Sequence, residues 1–231
     1  MRQLFLTLLS VVMLTACTRK AEQACDPVYD RSDFVDVSEV IPDVILEIRY
    51  YSTYNFVGAR IDGYHRPLAL MTREAADSLK AVSDELKQHG YRLKIWDTYR
   101  PQRAVNHFIR WAENLQDTPM KPVFYPMVDK SRLFVEEYIC AKSSHSRGST
   151  VDLTLFDDAT GKEVDMGSPF DWFGVESHPD YRCPLYMQSE NRLILRKAML
   201  RHGFKGANNE WWHFTLKNEP YPDTYFDFPI E

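Results

Sequence analysis

Ser143-Ser144-His145-Ser146-Arg147-Gly148-Ser149-Thr150-Val151-Asp152-Leu153-Thr154-Leu155 is the stretch on which both fold and chemistry turn. Its second half alternates as a strand does: Val151, Leu153 and Leu155 share one face, and Thr150, Asp152 and Thr154 the other. Its first half reads as a glycine-containing turn in which Ser146 and Arg147 position His145 ahead of the strand. A histidine, a turn and an aspartate on a polar strand face can bring two ligands together, and zinc accepts both imidazole and carboxylate. Taken alone, the same spacing is more often a hydrogen-bonded His and Asp at a surface.

A second strand, residues 212–216, places Trp212, Phe214 and Leu216 on one face and His213 on the other. Glu210-Trp211-Trp212-His213 therefore offers a third ligand, and a carboxylate three residues away that need not bind metal. Such a Glu can take a proton from water and pass it to a leaving amine. The same four residues also read as an aromatic core strand with an incidental Glu and His. The two tryptophans are mostly core material, and they also make a low-dielectric wall for nearby charges.

Working outward, residues 72–89 form a helix with Thr72 as cap, Leu79, Val82 and Leu86 as apolar stripe, and Gly90 at C′. Residues 44–50 read as extended. Residues 93–96 read as a strand running into Asp97-Thr98-Tyr99-Arg100-Pro101. Pro101 disfavours helix at Arg100 and can open the next helix, so Arg100 belongs at a strand-to-helix corner. There it is either half of a surface salt bridge or a donor to a site. The following helix reaches about Leu115, with Ala104, Phe108, Trp111, Ala112 and Leu115 on one face, and another spans 190–201 and ends at Gly203. Helices and strands mix without regular βαβ alternation, so the expected class is α+β, a mainly antiparallel central sheet with flanking helices.

The chain of 231 residues, 44% hydrophobic, supports one sizeable core more easily than two. A net charge of −5 argues against nucleic acid as a partner. Met1-Arg2-Gln3 followed by an apolar run over 4–14 has the length of a signal-peptide core, and Leu14-Thr15-Ala16-Cys17 resembles a bacterial lipobox. The expected division is a lipoprotein signal peptide at 1–16, a tether at 17–33 and one catalytic domain at 34–231. On that reading the chain is an exported lipoprotein, held to a membrane only through lipid on Cys17, with its catalytic domain in the periplasm or on the envelope side. Cys25, Cys140 and Cys183 then remain, an odd number with no CxxC pair.

SSHSRGSTVDLTL, DTYRP, MGSPFDW and EWWHF, in this order, resemble the D-alanyl-D-alanine dipeptidases of the vancomycin-resistance type, within the zinc D,D-peptidase family (peptidase M15). The likeness runs from about residue 44 to the C-terminal Tyr225-Phe226-Asp227-Phe228-Pro229. SxHxxGxxxD with a distant ExxH marks the wider family, and SSHSRGS with EWWH the dipeptidase branch. The resemblance implies a D,D-peptidase/hedgehog-like zinc fold and one zinc ion per chain, held by His145, Asp152 and His213. It implies Glu210 as general base and later acid, and Arg100 as the stabiliser of the tetrahedral intermediate. It further implies Ser143 at the substrate carboxylate, with Asp171 and the Tyr50 region at its ammonium group; the Tyr50-Tyr51 pair leaves that alignment open by one residue. His65, His89, His107, His178 and His202 have no partner at ligand spacing and are assigned no metal.

The implied reaction is hydrolysis of the small dipeptide D-alanyl-D-alanine to two D-alanine. Two alternatives stand beside it: a D,D-carboxypeptidase acting on peptidoglycan stem peptides, and a zinc-binding module without catalysis. The resistance-type dipeptidases are intracellular, so the export signal departs from that subgroup and gives the carboxypeptidase weight. Glu210 and Arg100 speak against the inert module, since neither is needed merely to hold a metal.

Overall fold

The computed structural model describes residues 31–136 and 138–231. The signal peptide expected at 1–16, Cys17 and Cys25 lie outside these residues, as does the tether except for Arg31–Asp33. Those three form a single 3-10 turn leading into the first strand, and Arg31 Nη2 donates to the main-chain oxygen of Glu231 at 2.7 Å. The strands are β1 Phe34–Asp36, β2 Ile45–Leu46, β3 Leu70–Thr72, β4 Tyr91–Asp97, β5 Thr150–Asp157, β6 Lys162–Glu163, β7 Phe204–Gly206 and β8 His213–Leu216. The helices are α1 Val37–Val40, α2 Arg73–Lys87, α3 Gln102–Glu113, α4 Lys121–Phe124 and α5 Tyr186–Arg201. No helix among the described residues is long and apolar enough to cross a membrane.

The main sheet runs β2-β4-β5-β8-β7, with β6 also on β5, and every pairing is antiparallel except β2 with β4. β1 and β3 form a separate antiparallel pair. The expected α+β class with a mainly antiparallel sheet is what forms. Val151, Leu153 and Leu155 enter a core shared with Leu79, Val82 and Leu86 of α2 and Leu195, Ala198 and Met199 of α5. Thr150, Asp152 and Thr154 are buried as well, so the polar face of β5 is roofed rather than open. An aromatic cluster packs beside the sheet: Trp96 stacks on Phe170 at 4.7 Å, and Trp211 meets both Trp96 and Trp212 edge-on.

One irregularity in the sheet sets the site. β4 and β5 pair Ile95 with Leu153 and then Asp97 with Asp152, so Trp96 is an extra residue opposite β5. Strict alternation would put Asp97 on the face of Ile95, away from Asp152. The bulge turns it onto the face of Asp152, and the ladder continues to β8, where Asp152 pairs with His213. Asp97, Asp152 and His213 thus form one row across three adjacent strands.

Several boundaries differ from the sequence expectation. The extended segment at 44–50 shrinks to β2, and Arg49–Tyr51 coil into a 3-10 turn that buries the Tyr50 ring against Phe56, Tyr64 and Phe108. Thr72 precedes α2 but does not cap it, because its hydroxyl bonds Ser149 Oγ at 2.7 Å. α3 stops at Glu113: Asn114 leaves helical geometry, its carbonyl accepts from Lys130 Nζ, and Leu115 is 51% exposed. α5 starts at Tyr186 rather than 190, with Gln188 Oε1 accepting from the Leu185 amide. Its first apolar side chains, Tyr186 and Met187, are exposed, so no buried stripe announced this turn.

Gly148 ends the turn ahead of β5 at φ +83°, and a Cβ there would lie 2.3 Å from the Phe34 ring. Gly148→Ala combines a left-handed backbone with that collision, so it is expected to destabilise the fold by about 2 kcal/mol or more. A urea denaturation midpoint equal to that of the parent chain contradicts this packing.

Candidate active site

Ser143 opens the 3-10 turn Ser144–Arg147 by accepting from the His145 amide with its hydroxyl (3.3 Å). The turn is braced from afar: the Phe226 amide donates to the Ser146 carbonyl at 2.8 Å, and Arg147 makes a bidentate pair with Glu219 at 2.7 and 2.9 Å. His145 is therefore presented from a fixed platform. Its Nδ1 lies 2.6 Å from the Thr98 carbonyl, which sets the proton on Nδ1 and turns Nε2 inward. Nε2 sits 3.2 Å from Asp152 Oδ2 and 3.2 Å from His213 Nδ1. His213 Nε2 is 3.1 Å from Ser144 Oγ, so its inner nitrogen is Nδ1, 3.1 Å from Asp152 Oδ1.

This donor set suits a metal. One nitrogen of each imidazole and a carboxylate oxygen lie within 4.8 Å of one another, and both outer nitrogens have partners, the Thr98 carbonyl on His145 and the Ser144 hydroxyl on His213. Asp152 Oδ1 is buried and receives no hydrogen bond despite the nearby His213 nitrogen, as expected of atoms aimed at a common point rather than at one another. Two imidazoles and one carboxylate match the three-ligand set of catalytic zinc. Among the described residues no second group of this kind occurs.

Charge is arranged around this centre. Burial alone would raise the Asp152 carboxyl, but His145 and His213 outweigh it and hold it well below the usual carboxylate range. Glu210 Oε2 is 3.3 Å from His213 Nδ1; burial pushes its carboxyl upward and the Asp152 charge adds to this, against the pull of His213 and Arg100. Arg100 stands at the strand-to-helix corner, with Nε and Nη2 on Asp97 Oδ2 at 2.9 and 2.8 Å and Nη2 3.5 Å from Asp152. Nη1 takes no part in these contacts. Its guanidinium lies over the Tyr50 ring at 4.8 Å.

Tyr50, Arg100, Ser143, His145, Asp152, Asp171, Glu210 and His213 all line one cavity of ≈ 210 Å³. The residues expected at the site are thus brought to one place, and of the Tyr50-Tyr51 pair it is Tyr50 that lines the cavity. Tyr50 is buried with its hydroxyl 3.1 Å from Asp171 Oδ2, whereas the Tyr51 ring carries Arg60 outside the cavity lining. Asp171 is held in a left-handed conformation (φ +58°), and burial raises its carboxyl well above the ordinary range, helped by Asp152 and Glu210.

The sequence reading passed over Asp97, Thr98 and Ser144, which orient the putting-together of these groups, and Tyr138, Lys142 and Asn209, which line the cavity. Asp97 stands in DTYRP and was in plain view, but only the bulge at Trp96 turns it toward Asp152. Its other oxygen accepts from Tyr64 at 2.6 Å. His107 and His202, left without metal, pair instead with Asp62 and Glu85. Cys140 is exposed and Cys183 buried.

Comparison with known proteins gives the family. A family model described as D-ala-D-ala dipeptidase (peptidase M15) matches residues 30–231. A D-alanyl-D-alanine dipeptidase of Enterococcus faecium is 39% identical over 198 residues, covering 86% of this chain and 98% of its own. One from Streptomyces coelicolor is 40% identical over the same shares, and one from Escherichia coli 30% identical over 81% of this chain and 86% of its own. The chain belongs to the D-Ala-D-Ala dipeptidase family of M15 peptidases.

Proposed function

We propose that the chain is a zinc D,D-dipeptidase that hydrolyses D-alanyl-D-alanine to two D-alanine. The observation that carries this reading is the convergence of His145 Nε2, Asp152 and His213 Nδ1 beside Glu210 and Arg100 in one small cavity. His145, Asp152 and His213 would hold one zinc ion. Zinc supplies Lewis acidity to the scissile carbonyl and to the attacking water. Glu210 takes a proton from that water as the new C–O bond forms, and returns it to the leaving nitrogen as the C–N bond breaks. Arg100, locked by Asp97 through Nε and Nη2, offers Nη1 where negative charge develops on the carbonyl oxygen.

Asp171 and Tyr50 would receive the substrate's ammonium group, and Ser143 its carboxylate. A buried carboxyl in the cavity wall favours the dipeptide over acylated stem peptides, because a blocked amine would leave Asp171 with the Tyr50 hydroxyl but no counter-charge. The lipobox at Cys17 supports an exported, membrane-anchored form, and a mature chain starting anywhere but a lipidated Cys17 contradicts that placement.

Loaded with zinc, the purified chain is expected to release D-alanine from D-Ala-D-Ala much faster than from acylated D-Ala-D-Ala peptides. Glu210→Ala is expected to keep its zinc and lose turnover by about 10³-fold or more. Equal or faster cleavage of a pentapeptide stem replaces the dipeptidase with the carboxypeptidase reading. An active Glu210→Ala variant removes Glu210 from the proton transfer.

A further inference from the structure

Arg192 on α5 lies outside the cavity lining, is 6% exposed, and forms no ion pair with a carboxylate among the described residues. A buried guanidinium without a counter-charge is expensive unless each donor finds an acceptor. Here the acceptors all come from one segment, residues 166–178. Nε donates to the Met166 carbonyl (2.5 Å), Nη1 to the His178 carbonyl (3.0 Å), and Nη2 to the Glu176 carbonyl (2.8 Å) and Ser168 Oγ (3.2 Å). The segment is gripped at both ends, and between them it carries Asp171 in its left-handed conformation.

The same grip reaches the catalytic strand. Ser168 Oγ also accepts from Trp211 Nε1 at 2.9 Å, the Trp211 amide donates to the Ser177 carbonyl at 2.9 Å, and the Trp211 ring lies 5.5 Å from the guanidinium. Trp211 directly follows Glu210. One side chain thus ties the segment bearing Asp171 to the segment bearing Glu210 and His213. Only a planar fork with five donors can span these acceptors; an ammonium on a flexible stem cannot.

We propose that Arg192 is a positioning residue for recognition of the substrate's free ammonium group, acting by fixing the distance and orientation of Asp171 relative to the reacting centre. The proposal rests on the assignment of Asp171 to that ammonium group made above. It requires the loss of Arg192 to weaken binding of a free amine while sparing ligands that lack one. A purely structural role would weaken both alike.

The test compares Arg192→Lys, Ser168→Ala and Asp171→Asn in the zinc-loaded chain. The measurements are KM and kcat for D-Ala-D-Ala, and the inhibition constant of N-acetyl-D-Ala-D-Ala. For Arg192→Lys, KM is expected to rise about tenfold, with kcat within about twofold and the N-acetyl inhibition constant unchanged. Ser168→Ala, which buries no unpaired charge, is expected to shift the same way by less, and it decides the matter if Arg192→Lys does not fold. Unchanged KM in both variants, a parallel rise in the N-acetyl constant, or a loss confined to kcat overturns the proposal. Asp171→Asn separates the two layers. If it shows the amine-selective pattern and the other variants do not, Arg192 alone is wrong. If it shows no such pattern, the assignment of Asp171 fails and the role of Arg192 fails with it.

Discussion

Asp152 places a carboxylate in the middle strand of the sheet, where it is 2% exposed. An isolated charge there would be strongly destabilising, so the surrounding structure has to supply compensation in fixed positions. It does so from three directions: His145 from the turn before β5, His213 from the neighbouring strand β8, and Arg100 from the corner after β4. These partners make the carboxylate tolerable, and together they build the site. Removing any one of them leaves charge unpaired in a low-dielectric region, which links stability to function at this point.

The compensation depends on backbone features distant in sequence. The bulge at Trp96 turns Asp97 toward Asp152, and Asp97 in turn aligns Arg100. The Thr98 carbonyl, two residues after the bulge, orients the His145 ring. The C-terminal segment holds the other side: Glu219 pairs with Arg147, Phe226 bonds Ser146, and the Phe228 carbonyl accepts from Tyr99. Phe34 seals this junction, packing edge-on against Tyr99, Phe226 and Phe228 while leaving room only for glycine at 148. The groups proposed to act in catalysis therefore sit where four stretches of chain cross, on regular strands and braced turns rather than on free loops.

Much of this was legible from the residues. Alternation along β5 and β8 places Asp152 and His213 on one face, because side-chain direction in a strand is a local property. The corner at Arg100 followed from Pro101 in the same way. What stayed hidden was set by tertiary packing. Alternation assigns Asp97 to the wrong face, and nothing in Lys94-Ile95-Trp96-Asp97 marks where the bulge falls. Arg147 reads as part of a turn, yet its bidentate partner lies 72 residues away. Arg192 reads as one more charged residue on a helix; only the fold shows it buried against carbonyls of a separate segment. Leu115 erred in the opposite sense, extending an apolar stripe past the point where Asn114 leaves the helix.

The central claim is that the inner nitrogens of His145 and His213 and the carboxylate of Asp152 share one zinc ion. Zinc K-edge absorption spectroscopy on the metal-loaded chain tests it directly, since imidazole, carboxylate and thiolate ligands scatter differently at ~2.0–2.3 Å. The account requires a first shell of nitrogen and oxygen only, with the multiple-scattering signature of two imidazoles that is lost from the His213→Ala chain. A sulfur shell, a single imidazole, or a spectrum unaltered in His213→Ala would contradict it.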